Sequence, residues 1–210
     1  SRNHCKYAKC FINFKIYTSL DGLAGDYITS ICESNKGEIW IGTKNNGITS
    51  IYGNKIFKTT RETGLISNKI SKLYFSRKFN LAFIGTEEGL SVFNEGKIIN
   101  ISNVISDENY KLHITDFLET DETIYVFTKG GKVFKYNPFL ERLTPIISNS
   151  IFNQPKFSSA YFSSNGDTLL NYSNTLYVTN QNTQNFQEVG LVTKYKEDLN
   201  GNIWIASSKN

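Results

Sequence analysis

Apolar and polar residues alternate with a period of two over short runs along most of the chain. The first clear run is Tyr27-Ile28-Thr29-Ser30-Ile31-Cys32-Glu33, followed by the polar turn Ser34-Asn35-Lys36-Gly37. A second run, Glu38-Ile39-Trp40-Ile41, ends in Gly42-Thr43. Two more, Gly47 to Tyr52 and Lys55 to Thr59, are joined at Gly53-Asn54. Period-two alternation places successive side chains on opposite faces of a strand. Asn-Gly, Gly-Asn and Gly-Gly pairs supply the positive-φ positions of tight hairpins. The unit is therefore predicted to be four short antiparallel strands.

The unit recurs. Gly37-Glu38-Ile39-Trp40-Ile41-Gly42-Thr43 is followed by Asn80-Leu81-Ala82-Phe83-Ile84-Gly85-Thr86, by Glu122 to Thr128, by Gly166 to Tyr172 and by Gly201 to Ser207. Their central residues, Trp40, Phe83, Tyr125, Leu169 and Trp204, are 43, 42, 44 and 35 positions apart. Each copy follows a similar lead strand: Lys69 to Phe75, Leu112 to Phe117, Phe157 to Phe162 and Val192 to Lys196 in the later copies. A sandwich needs no internal repeat, whereas blades that pack against equivalent neighbours do. The fold class predicted is all-β, a β-propeller of four-stranded blades forming a single domain over 1–210. The five central residues are expected to be structural, buried between adjacent blades.

The fifth unit has only its first two strands before the sequence stops, while two unassigned runs, near His4–Lys9 and Phe11–Tyr17, precede the first unit. Joining them predicts a closed ring of five blades whose last blade is completed by N-terminal strands, which removes open sheet edges. The alternative is a five-blade part of a seven-bladed propeller.

Asp21-Gly22-Leu23 with Asp26, Gly64-Leu65 with Ser67-Asn68, Gly-Glu-Ile-Trp-Ile-Gly-Thr at 37–43 and Gly-Asn-Ile-Trp-Ile-Ala-Ser at 201–207 resemble two-component-regulator propeller repeats. Such repeats form the extracytoplasmic sensor region of hybrid histidine kinases of the Bacteroidetes type. The resemblance covers nearly the whole chain and is strongest in the first, second and fifth units. It implies a periplasmic or extracellular location and a part in signal transduction, with an oligosaccharide as ligand. It assigns no sugar-binding role to the blade motif itself.

Composition adds exclusions. Hydrophobic residues make up 39%, charged residues 20%, and the formal net charge is +4 with no basic cluster or tail, which excludes a nucleic-acid footprint. No apolar run reaches the roughly 20 residues of a membrane helix, so direct insertion of this segment is not expected. Three cysteines, Cys5, Cys10 and Cys32, are too few for a disulfide scaffold. Cys5 and Cys10 flank one hairpin junction; Cys32 reads as a small buried hydrophobe.

Catalytic signatures are missing. There is no His-Glu-x-x-His, Cys-x-x-Cys, P-loop or Gly-x-Ser-x-Gly, and neither a metal nor a cofactor is expected. The two histidines are His4, beside Cys5, and His113, on a first strand. A lyase or glycosidase reading is therefore disfavoured. What remains is a rigid ring with variable loops. Ligand-binding candidates lie where the innermost strands begin: Tyr27, Asn68, Lys69, Tyr110 and Lys156. Tyr beside Lys and Asn suits sugar faces and hydroxyls, and equally a peptide. The function expected is non-catalytic ligand sensing or recognition; a stand-alone protein-interaction scaffold is the competing expectation.

Overall fold

A computed structural model of the chain describes residues 15–102, 112–119, 123–129, 132–145, 157–163, 167–172, 175–179, 187–192, 194–198 and 200–207. The first sheet is an antiparallel meander of β1 (Ile28–Glu33), β2 (Ile39–Thr43), β3 (Ile48–Tyr52) and β4 (Lys55–Thr59). The second comprises β5 (Ile70–Ser76), β6 (Leu81–Thr86), β7 (Leu90–Asn94) and β8 (Lys97–Ile101). The third holds β9 (Ile114–Glu119), β10 (Ile124–Thr128), β11 (Val133–Asn137) and β12 (Arg142–Pro145). The fourth contains β13 (Phe157–Phe162), β14 (Thr168–Tyr172), β15 (Thr175–Thr179) and β16 (Gln187–Leu191). A last pair, β17 (Lys194–Glu197) and β18 (Ile203–Ala206), forms a two-stranded sheet among the described residues.

Each of the first four sheets runs in strict sequence order, and the first strand of one lies beside the first strand of the next: β1 against β5, β5 against β9, β9 against β13. The architecture is thus all-β and multi-bladed, like a propeller, with first strands innermost. Each of these four strands carries a bulge at the same place, passing over Thr29, Ser71, Thr115 and Ser158. Bulges bend and twist a strand, and here adjacent innermost strands bond to one another beside them. Ser71 Oγ donates to the Ile114 carbonyl at 2.6 Å, and the Leu73 amide donates to Ser30 Oγ at 3.0 Å.

The core lies between sheets. Trp40, Ile48, Leu65, Ile70, Leu73, Ala82 and Ile84 bury the first against the second. Phe83, Val92, Ile114, Phe117, Val126 and Phe134 bury the second against the third. Phe83 packs on Tyr136 at 5.0 Å between ring centroids and on Phe117 at 5.7 Å. Polar pairs also cross between sheets: Tyr74 donates to Glu119 Oε2 at 2.6 Å between the second and third, and Tyr161 to Glu197 Oε2 at 2.6 Å between the fourth and the last pair.

The central aromatic positions are not all alike. Trp40, Phe83 and Leu169 are buried, Tyr125 is half-buried beneath Lys135, and Trp204 is 67% exposed. Trp204 therefore departs from the expected interior position. Its indole N–H donates to Asp198 Oδ2 at 2.8 Å, and no described sheet covers its ring. Ile31, at the register position of the buried Leu73 and Phe117, is also exposed, at 62%. The outward face of the first sheet and that of the last pair are thus both open. The N-terminal strands expected to complete the fifth blade lie outside the described residues.

This asymmetry yields a stability prediction. Phe83→Ala should cost about 3–5 kcal/mol, as large core truncations do, whereas Trp204→Ala should cost about 1 kcal/mol or less. Chemical denaturation of both variants checks it; equal losses would contradict the packing described.

Candidate functional site

The loops leading into the first two innermost strands are built alike. Residues Ser19–Asp21 and Arg61–Thr63 form 3-10 turns that end on Gly22 (φ 109°) and Gly64 (φ 119°), a left-handed conformation suited to glycine. Leu23 and Leu65, the next residues, are buried and pin each loop to the core. Asp26 then reaches back to accept from the Ser19 amide at 2.6 Å and the Ser19 hydroxyl at 2.7 Å. These bonds hold its carboxyl below the usual carboxylate range. Asn68 does the same work one sheet later, its Oδ1 accepting from the Arg61 amide at 2.7 Å. The side-chain oxygen of Asn68 is thus committed to the loop.

The following residue in each loop is differently placed. The carbonyl of Tyr27 accepts from the Lys44 amide at 3.0 Å, that of Lys69 from the Glu87 amide at 3.2 Å, and that of His113 from the Lys129 amide at 2.9 Å. Three sheets therefore fasten the same position with the same backbone bond, at the end of the axis where the innermost strands begin. Tyr27 is 68% exposed, with Lys44 Nζ 4.9 Å from its ring centroid. Lys69 Nζ lies 3.3 Å from Glu87 Oε2. His113 is half-buried, and burial lowers its pKa below 6.5; Glu87 opposes that shift and Lys129 adds to it. Lys69, Glu87, His113 and Lys129 thus form one electrostatically linked group across the second and third sheets.

Of the residues predicted from sequence, Tyr27 and Lys69 occupy equivalent positions at this mouth, and Asn68 lies beside them but serves its loop. Tyr110 and Lys156 lie outside the described residues. His113 was missed as a mouth residue. Its signal was present in the register, because Tyr27, Lys69 and His113 immediately precede Ile28, Ile70 and Ile114. The alternating run over Leu112 to Phe117 places His113 inside its strand, whereas β9 begins at Ile114.

Other chemistry is sparse. Among the described residues no group of three His, Cys, Asp or Glu side chains is arranged to hold a metal ion. Burial pushes the Cys32 thiol up to about 11, so it stays protonated at neutral pH and packs as a small apolar group. Cys5, Cys10 and His4 lie outside the described residues. Glu88 accepts from Ser67 Oγ at 3.0 Å and faces Arg61 at 3.5 Å, away from the Lys69–Glu87 pair. Thr115 Oγ1, two residues along from His113, is buried without a partner.

Residues 22–45 match the two-component regulator propeller repeat. No curated protein matches the chain. Among solved structures, the extracellular domain of a protein described as a hybrid two-component system, BT4673 from B. thetaiotaomicron, is similar with a TM-score of 0.70 and 22% identity. That likeness covers 86% of this chain and 26% of the other, so the chain spans about a quarter of its length. Virginiamycin B lyase from Staphylococcus aureus is similar at a TM-score of 0.66 and 14% identity, over 88% of this chain and 65% of the lyase. YCF48 from Cyanidioschyzon merolae gives 0.61 and 9%, over 88% and 64%. An extracellular domain of a two-component system and a lyase share this architecture, so the likeness describes the fold.

The depressed pKa of His113 has a measurable consequence. The folded state binds this proton less readily than the unfolded state, so stability is full above pH 6.5 and declines as pH falls below it. Thermal melts at pH 7.5 and 5.5 should show a smaller loss for His113→Asn than for the wild type. An equal loss in both proteins would contradict the burial assigned to the imidazole.

Proposed function

We propose that this chain is part of a non-catalytic recognition propeller, acting in the periplasm or outside the cell as a sensor for an oligosaccharide. The observation that carries the reading is the repeated anchoring of Tyr27, Lys69 and His113 by the Lys44, Glu87 and Lys129 amides. Different side chains are displayed from one rigid backbone position, which is how a fixed scaffold presents a variable binding surface. A preformed site of this kind loses little freedom on binding. By sequence position, immediately before Phe157, Lys156 is proposed to join the same set. Tyr110, two residues before Leu112, is proposed as a further contact. The repeat match at 22–45 and the likeness to an extracellular two-component domain support sensing as the role.

The scaffold is proposed to be one propeller domain. The open faces at Ile31 and Trp204 favour an arc of a ring with more than five blades over a five-bladed ring closed by N-terminal strands. Four formed interfaces that each turned by a fifth of a circle would bring the last face onto the first and cover both residues. Register nevertheless puts Lys196 at the position of Tyr74 and Tyr161, and Glu33 at that of Glu119 and Glu197. A closed ring would pair them, and Trp204→Ala would then cost as much as Phe83→Ala.

The lyase likeness supports a second reading, in which His113 and Glu87 serve as an acid–base pair at the mouth. Binding and turnover separate the two. Replacement of both Tyr27 and Lys69 by Ala should weaken binding to an oligosaccharide identified on a glycan array at least about tenfold, a loss of about 1.4 kcal/mol. The melting temperature should stay unchanged. Unaltered affinity would move the site off the mouth. Absence of any glycan hit would favour a protein-interaction scaffold, and consumption of the bound sugar would favour the enzyme.

A further inference from the structure

We infer that the mouth is built for an anionic oligosaccharide, one carrying carboxylate or sulfate groups; this rests on the recognition reading above. Three ammonium groups come to this end of the axis from three sheets: Lys44 after β2, Lys69 before β5 and Lys129 after β10. Among the described residues Glu87 is the carboxylate that pairs with them, shared between Lys69 at 3.3 Å and the field at His113, while Asp26 beside Tyr27 is held by Ser19. The second carboxylate of that turn, Glu88, is drawn away by Ser67 and Arg61. Among the described residues the mouth therefore keeps a positive surplus, and surplus charge concentrates ligands of the opposite sign. The surplus is local, since the whole chain carries only +4.

The backbone argues for a sugar over an acidic peptide. Peptides are commonly held by unpaired strand edges, through main-chain hydrogen bonds. At this mouth the carbonyls of Tyr27, Lys69 and His113 already accept from Lys44, Glu87 and Lys129, so these three groups are committed to their own sheets. Recognition is left to side chains. The exposed Tyr27 ring, covered on one side by Lys44, presents a flat apolar surface beside cations. That pairing of an aromatic plane with ammonium groups fits a pyranose face bearing an acidic substituent.

Calorimetry on the 210-residue chain with three probes tests this: a tetragalacturonide, a sulfated heparin-derived tetrasaccharide and neutral cellotetraose. Either acidic probe should bind at least tenfold tighter than cellotetraose, and its affinity should fall at least tenfold between 50 and 300 mM NaCl, as expected for screened charges. The two acidic probes distinguish carboxylate from sulfate. Lys69→Ala with Lys129→Ala should weaken the acidic probe at least tenfold, while Lys58→Ala, on the outer strand β4, should leave it unchanged. Equal effects of Lys58→Ala would mean diffuse attraction and would overturn the inference. Tight, salt-independent binding of cellotetraose that is lost in Tyr27→Ala would overturn it too, while leaving the mouth as the binding site. Failure of all three probes to bind would overturn this inference and the oligosaccharide reading together.

Discussion

The close approach of β5 to β2 and of β9 to β6 governs the arrangement of the first three sheets. A Cβ on Gly42 would come within 2.6 Å of Ile70 Cγ2, and a Cβ on Gly85 within 2.6 Å of Ile114 Cγ2 and 2.9 Å of Ile114 Cβ. No real side chain tolerates such contacts, so glycine is required there for the next strand to seat. The two glycines sit opposite Ser30 and Lys72, next to the bulges at Thr29 and Ser71. Bulge, glycine and isoleucine together place one innermost strand against the next. The apolar clusters around Trp40 and Phe83 then fill the space farther from the axis.

From that contact follows the candidate site. Ile70 and Ile114 are the first residues of their strands, and Lys69 and His113 are the residues immediately before them. Seating the isoleucine under the neighbouring glycine thus fixes where the preceding side chain emerges. The backbone bonds from Glu87 and Lys129 lock the same point from the other side. The mouth is consequently rigid in backbone and free in side-chain identity, and tyrosine, lysine and histidine occupy equivalent places. The binding chemistry can vary without disturbing the core that supports it.

Much of the fold could be read from the chain because the same alternation recurs with nearly constant spacing. The strands of the first two units were delimited by Gly and Asn turns and by the Ile-rich second strands. The later units were harder for a physical reason. Phe127, Asn171 and Ala206 take the place of Gly42 and Gly85 in the register, so the strand-to-strand approach there is made differently. Asn171 Oδ1 is buried without a partner, a sign of a less regular interface. Trp204 carries the same local motif as Trp40 yet is exposed, because burial depends on a neighbouring sheet that the motif does not encode. The places of Tyr27 and Lys69 immediately before their strands follow from position in the sequence. The reach of Asn68 back to Arg61 spans a turn that alternation does not reveal, and the strand after His113 begins two residues later than the run from Leu112 implies.

A double-mutant cycle between Gly85 and Ile114 tests the governing contact most directly. Gly85→Ala should destabilise the protein by about 1–3 kcal/mol through overpacking. In the Ile114→Ala background, where Cγ2 is gone, the same substitution should cost at least about 0.5 kcal/mol less, the coupling expected of residues in contact. A Gly85→Ala variant of wild-type stability, or one whose cost is identical in both backgrounds, would contradict the account.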